Sequence, residues 1–194
     1  MFINKPEYPK TRLDDVAVVS SGLTKNPKRP SFEHKMEYLR VANVLYDNID
    51  LTDLQTIGVQ DSEIDKAILA KGDILFVEGN GSPDQIGRVA VWDGQRAPML
   101  HQNHIIKARP DTTLVESRYV MYYFMTKEGR DQILDSAKTT SGLYTLSLSK
   151  IAGFKLPIAP LEKQKEFISL VEQSDKSKYT LGGQLCLMKM LLNR

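Results

Sequence analysis

His101 and His104, three residues apart, are the first arrangement in this 194-residue chain that suggests chemistry. Two imidazoles hold zinc when they share a face and further ligands join them. Met99 to Ala108 reads instead as a strand pair or bent strand, where residues three apart point to opposite faces, and no cysteine is near. Metal-assisted DNA cleavage would need Pro-Asp followed by Asp/Glu-x-Lys, so that carboxylates hold Mg²⁺ against a phosphate. Pro83-Asp84 and Pro110-Asp111 are present, but the one such tripeptide, Glu33-His34-Lys35, precedes both. Gly79-Asn80-Gly81 imitates a phosphate-binding loop. A dinucleotide fingerprint would continue to a third glycine and open a helix. Here Asp84 takes the third position, Pro83 interrupts, and a strand follows. A methyltransferase cofactor loop, Phe-x-Gly-x-Gly, fails because Phe76 stands one residue too early. No Asn/Asp-Pro-Pro-Tyr/Phe tetrapeptide, Gly-x-Ser-x-Gly elbow or Walker loop occurs. The motifs predict a non-catalytic chain with no cofactor and no metal.

What remains is a binding module, and the elements around these residues support that reading. Ile74 to Val77 is a continuous apolar run, the pattern of a buried strand. Asp61 to Leu69 has acids in its first turn and Ile64, Ile68 and Leu69 on one face, as a short helix does. Tyr38 to Tyr46 is rich in β-formers and reads as a strand, and Leu51 to Val59 as another. Residues 114–137 recur at helical spacing, with a break expected at Gly129. Leu146 to Ile151 reads as a turn of helix and Phe154 to Ile158 as a last strand. The class predicted is α+β: an irregular, mostly antiparallel sheet carrying helices, followed by a long projecting C-terminal helix. Loops rich in Gly, Ser, Thr, Asn and Gln join the strands and supply donors and acceptors for backbone and base-edge hydrogen bonds.

Composition is that of an ordinary globular protein, with 41% hydrophobic and 26% charged residues. A formal net charge of +2 makes no global case for nucleic acid. The distribution is uneven: Lys138 to Arg194 holds nine Lys/Arg against four Asp/Glu, whereas residues 47–65 hold six acids and no base. A basic end permits phosphate contact. Cys186, the single cysteine, excludes an internal disulfide. Neither a signal-peptide pattern nor a membrane-length apolar run occurs, which predicts a cytoplasmic location.

After Pro160, about thirty residues run without proline. Phe167, Val171, Ser174, Lys178, Leu181, Leu185, Met188 and Leu192 fall at alternating steps of four and three, the seam of a helix that packs lengthwise on another. Ser174 and Lys178 are polar, and Gly182-Gly183 costs roughly 2 kcal/mol of helix propensity relative to Ala. Periodicity alone serves equally well a helix folded back on its own domain. Length favours projection, because ~30 residues span ~45 Å, against the ~30 Å width of a domain of this size. The expected division is residues 1–159 as one domain and 160–194 as a spacer and pairing helix.

The order Lys71-Gly-Asp-Ile-Leu-Phe-Val77, Gly79-x-Gly81, Ile86-Gly-Arg-Val-Ala-Val91, then His101 to Pro110, resembles the target-recognition domain of type I restriction-modification specificity subunits. So do Ser117-Arg-Tyr-Val-Met-Tyr-Tyr-Phe124, Ser141-Gly142, Leu146-Ser-Leu148 and Leu156-Pro-Ile-Ala-Pro-Leu-Glu-Lys-Gln164. The resemblance runs from about Leu13 to the end of the helix. It implies two such domains per subunit, each followed by a long helix. The helices pair antiparallel, each domain reads one half of a split double-stranded DNA target, and methyltransferase and restriction subunits are the partners. This chain resembles half a subunit, expected to dimerise or to pair with another half through Phe167, Val171, Leu181, Leu185, Met188 and Leu192.

The candidate DNA contacts are loop residues: Lys25, Lys28 and Arg29; Asn80, Ser82 and Arg88; Gln102, Asn103 and His104; and Lys138, Thr139, Thr140, Ser141 and Tyr144. The bases among them would hold phosphates and the amides and hydroxyls would read base edges. Two other readings stay open. One is an assembly half-subunit that pairs through its helix and modulates a partner without reading DNA. The other is a recognition domain cut from a larger methyltransferase-nuclease.

Overall fold

The computed structural model describes residues 8–137 and 144–174. In chain order the first elements are β1 (Lys10–Arg12), β2 (Ala17–Ser21), β3 (Lys35–Leu39), β4 (Gln55–Gly58), α1 (Asp61–Ala67), β5 (Ile74–Val77), β6 (Gly79–Asn80) and β7 (Val89–Val91). Then come β8 (Leu100–His101), β9 (Ile105–Pro110), α2 (Ser117–Met125), α3 (Lys127–Ala137), β10 (Tyr144–Thr145), α4 (Leu148–Ala152) and β11 (Lys155–Pro157). A final helix, α5, covers residues 161–174. No helix among the described residues is long and apolar enough to cross a membrane.

The main sheet has the order β2-β9-β5-β7 and is antiparallel throughout. A second sheet, β4-β3-β8, adds one parallel pair between β3 and β8. β5 is buried at all four positions because the main sheet is covered on both faces. Successive side chains of a strand point to opposite sides. Ile74 and Phe76 therefore join the larger core with α2, where Phe76 meets Phe124 edge-on at 5.3 Å. Leu75 and Val77 join a second core with Trp92, Met99 and Leu39. Each such side chain contributes about 1.5–3 kcal/mol by leaving water.

Two of the boundaries that differ from the sequence reading are set by side-chain hydrogen bonds. The strand expected over Tyr38 to Tyr46 ends at Leu39, and Val41–Asn43 forms a 3-10 turn instead. Buried Asn43 causes this: its Oδ1 accepts from Arg40 N at 2.8 Å and its Nδ2 donates to Asp50 O at 2.9 Å. These side-chain bonds outcompete a strand ladder. The helical break falls at Thr126 rather than Gly129. Thr126 is extended (ψ 163°), and its hydroxyl donates to Tyr123 O at 2.7 Å. Gly129 lies inside α3, where a Cβ would sit 2.3 Å from the Tyr123 carbonyl oxygen, so glycine there permits the close helix junction.

Helix α5 starts where Pro160 and the acidic Glu162 place it. Its first turns lie along α2 and do not leave the body. Buried Gln164 accepts from Glu116 N at 2.8 Å and donates to Leu114 O at 3.1 Å and Ala159 O at 2.7 Å. Phe167, Ile168 and Val171 pack against the larger core. Arg118 Nη1 and Glu172 Oε1 are 2.6 Å apart. Phe167 and Val171, which the sequence reading assigned to the pairing seam, are partly buried contacts of their own domain. Leu181, Leu185, Met188 and Leu192 lie outside the described residues.

Candidate nucleic-acid interface

Three loop regions converge at one end of strands β5, β8 and β9. Leu23 N donates to His101 O at 2.8 Å and Asn103 N to Leu23 O at 2.9 Å, which fastens the 22–25 segment beside the β8–β9 turn. The approach is close enough that a Cβ on Gly22 would lie 2.0 Å from the His101 carbonyl oxygen, so only glycine fits. On the other side Glu78 N donates to His104 O at 2.9 Å, and Leu146 N to Glu78 O at 2.6 Å. β6 then pairs with β10, setting Tyr144 opposite Asn80. Lys25, Gln102, Asn103, His104, Asn80 and Tyr144 thus occupy one chain of neighbouring segments, although they span 120 positions of sequence.

The side chains there divide by what they still offer. Gln102 and Asn103 are half-buried, and their amides make no hydrogen bond with any described residue. Lys25 and Lys28 are exposed, with Lys25 Nζ 5.7 Å from the Tyr38 ring centroid, a weak cation–π contact. Lys25, Lys35 and Tyr38 help line a cavity of about 350 Å³. Asn80 Oδ1 accepts from Ser82 N at 3.0 Å, and Ser82 Oγ accepts from Asp84 N at 3.3 Å, so these two residues shape their own loop. His104 is exposed, with Nδ1 2.7 Å from Glu78 Oε2. The two histidines diverge: His101 is fully buried, its Nδ1 3.0 Å from Ile105 O, and burial followed by the charge of Lys107 lowers its pKa to about 4. Among the described residues no group of three or more His, Cys, Asp or Glu side chains is placed to hold a metal ion.

Two of the basic candidates are engaged inside the protein. The exposure expected for Arg29 is corrected, since Arg29 is only 5% exposed. Its Nε donates to Thr24 O at 2.5 Å, Nη1 to Gly58 O at 2.9 Å, and Nη2 to Glu63 Oε1 at 2.9 Å. That guanidinium ties the loop to the start of α1 and, by hydrogen bonding, holds the Glu63 carboxyl below its usual range. Arg88 is half-buried, donating to Val41 O at 2.9 Å and Gln85 Oε1 at 3.1 Å, and burial lowers its pKa. It braces the Val41 turn against the β7 side. Lys138, Thr139, Thr140 and Ser141 lie outside the described residues.

One residue of the cluster escaped the sequence reading. Glu78 reads there only as the start of a glycine loop. The β5–β9 register, with Val77 opposite Ile105, carries the chain one step further and sets Glu78 beside His104. An acidic residue closing a buried apolar run was the only local signal.

Comparison with known proteins gives this arrangement a context. The chain is 25% identical over 173 residues to the putative type I restriction enzyme MjaX specificity subunit of Methanocaldococcus jannaschii, covering 89% of this chain and 40% of that protein. It is 27% identical over 154 residues to the type I restriction enzyme EcoKI specificity subunit of Escherichia coli K12, covering 79% and 32%. The chain therefore spans less than half the length of these relatives. The fold is shared with the HsdS subunit of Thermoanaerobacter tengcongensis, with a TM-score of 0.66 at 14% identity, over 91% of this chain and 44% of that one. Residues 6–185 match the family model described as the type I restriction modification DNA specificity domain. On that match, over nearly its whole length, the chain belongs to the type I restriction modification DNA specificity domain family.

Proposed function

We propose that this chain reads DNA sequence as the specificity element of a type I restriction-modification complex. It recognises one half of a split double-stranded target and directs methyltransferase and restriction subunits to it without performing chemistry itself. The observation that carries this reading is the family match over residues 6–185. The interface supports it, because the amides of Gln102 and Asn103, which have no partner among the described residues, and the exposed cations of Lys25 and Lys28 offer base-edge and phosphate contacts on adjoining loops. Residues 160–194 act as the spacer, and the seam beyond α5's attachment to α2 pairs with a second copy or another half-subunit.

The test is sequencing of modified sites in cells that carry the cognate methyltransferase subunit, with and without this chain. Appearance of a defined split motif only when the chain is present is the expected result. An unchanged pattern would favour an assembly role instead. Binding to duplex DNA should also weaken steeply as salt rises, since released counterions supply much of the affinity. For the pairing, light scattering at micromolar concentration should give twice the 21.9 kDa chain mass, and a monomer would leave only hetero-pairing.

A further inference from the structure

We infer that a cation-lined cavity beside the base-reading loops receives the phosphodiester backbone of the DNA, with Lys35 as a phosphate contact alongside Lys25. The inference rests on the DNA-recognition reading above and adds to it a residue that the sequence does not place among the contacts.

Lys25, Arg29 and Lys35 line a cavity of about 350 Å³ together with Pro30, Tyr38 and Ile57, and no Asp or Glu is among its lining residues. The charge of Arg29 is matched, its Nη2 lying 2.9 Å from Glu63 Oε1. Lys25 and Lys35 are exposed and have no carboxylate partner among the described residues. Tyr38 and Ile57 are buried, so the two unmatched charges stand against a wall from which water is largely excluded. A cleft of one sign with low-dielectric walls focuses its field, and it attracts an anion more strongly than the same lysines on open surface.

Both ammonium groups are placed before a ligand arrives. Lys35 Nζ donates to Pro30 O at 2.7 Å and to Arg29 O at 3.4 Å. Those acceptors are neutral and an ammonium carries three N–H groups, so the full charge and a third donor stay available. Lys25 Nζ stands 5.7 Å from the Tyr38 ring centroid. The chain just before Lys25 is pinned, because Arg29 Nε donates to Thr24 O at 2.5 Å and Leu23 is bonded to His101 and Asn103. Groups already held in place lose little freedom on binding.

Position selects the ligand. The Leu23 bonds to His101 and Asn103 set the Lys25 segment against the turn that carries Gln102 and Asn103. Unmatched cations and amides without partners therefore occupy adjoining segments. On a duplex the base edges are flanked by sugar-phosphate backbone, and roughly half or more of protein–DNA hydrogen bonds go to it. The anion that lies next to bases read by Gln102 and Asn103 is a backbone phosphate.

The experiment uses the full chain with its methyltransferase subunit and measures affinity for duplex DNA as a function of salt. It compares wild type with Lys35→Gln, Lys35→Arg and a control, Lys150→Gln, at an exposed lysine of α4 outside the cavity. Glutamine keeps a donor for the Pro30 carbonyl and removes the charge, whereas arginine keeps both. The expected result is that Lys35→Gln lowers the slope of log affinity against log salt by about 1, on random and motif-bearing duplexes alike. Lys35→Arg and Lys150→Gln should keep the wild-type slope, and the modified motif should not change. An unchanged slope for Lys35→Gln, or an equal fall for Lys150→Gln, overturns the inference while leaving DNA recognition standing. So does a relaxed motif with folded Lys35→Gln, which would make the residue a base contact. Thermal melts check folding. If Lys35→Gln fails to fold, amine acylation of the wild-type complex decides: DNA should protect Lys35 and not Lys150, and equal reaction of Lys35 with and without DNA overturns the inference. No modified motif with wild type overturns the recognition reading itself, and this inference with it.

Discussion

Phe167 of α5 stands edge-on to Tyr119 of α2, with ring centroids 5.9 Å apart and planes at 86°. A second edge contact, to Tyr122 at 6.1 Å, makes Phe167 the peg that holds the final helix to the domain. The helix therefore enters its proposed spacer role already aligned by the body, and Gln164 sets its starting angle through three hydrogen bonds.

Phe167→Ala should consequently lower the stability of the domain by about 2–3 kcal/mol, combining lost burial with lost ring–ring contact at a half-exposed site. Chemical denaturation followed by tryptophan fluorescence of the buried Trp92 measures it. A seam residue serving only helix pairing would leave the monomer's unfolding midpoint unchanged.

Gly129→Ala tests the helix junction by its sign. In an exposed helix interior that change stabilises by about 1 kcal/mol. Here the new Cβ would meet the Tyr123 carbonyl oxygen at 2.3 Å and the Phe124 Cα at 2.6 Å, both backbone atoms. The junction must shift, and we expect a net destabilisation of about 1–3 kcal/mol, read from the same denaturation curves.

Arg29 and Lys25, four residues apart, should behave oppositely. Removing the Arg29 guanidinium leaves the Glu63 carboxylate with the Gln60 N–H but without its ion-pair partner, and takes a donor from the Thr24 and Gly58 carbonyls. Arg29→Ala should then cost about 2–4 kcal/mol of stability, the buried-pair value reduced because the Glu63 side chain is 30% exposed. Lys25→Ala should leave the melting temperature unchanged. It should weaken DNA binding evenly across sequences and reduce the slope of log affinity against log salt by about 1.

His101 predicts an acid-sensitive component of stability. Its pKa is pushed down from 6.5 to about 4 in the fold by burial, with Lys107 adding to the effect. Below pH 6.5 the unfolded chain takes up a proton that the folded chain refuses, so stability is complete above pH 6.5 and falls as pH drops towards 4. The full loss is roughly 3 kcal/mol. His101→Gln should remove this component, flattening the difference in unfolding free energy between pH 6.5 and pH 4 relative to wild type.

Local pattern was enough to specify the elements whose signal is contained within a few residues. The apolar run Ile74–Val77, the acid-led helix Asp61–Ala67, the strand Lys155–Pro157 and the helix start after Pro160 are all legible from spacing and caps. The motif order that carries the family is legible for the same reason. The sequence also places Asn80, Gln102, Asn103 and His104 on loops between strands. What it cannot contain is the identity of partners brought in from afar. Arg29 reads as a surface base until Glu63, 34 residues on, takes its guanidinium into the interior. Glu78 and His104 are 26 residues apart and meet only because β5 and β9 pair in one register. A slip of one residue would turn every side chain of β5 to the other face. Gly129 reads as a helix breaker until α3 folds back onto the carbonyl of Tyr123. Propensity is a property of a residue and its near neighbours. Hydrogen-bond partnership and close approach belong to the folded chain.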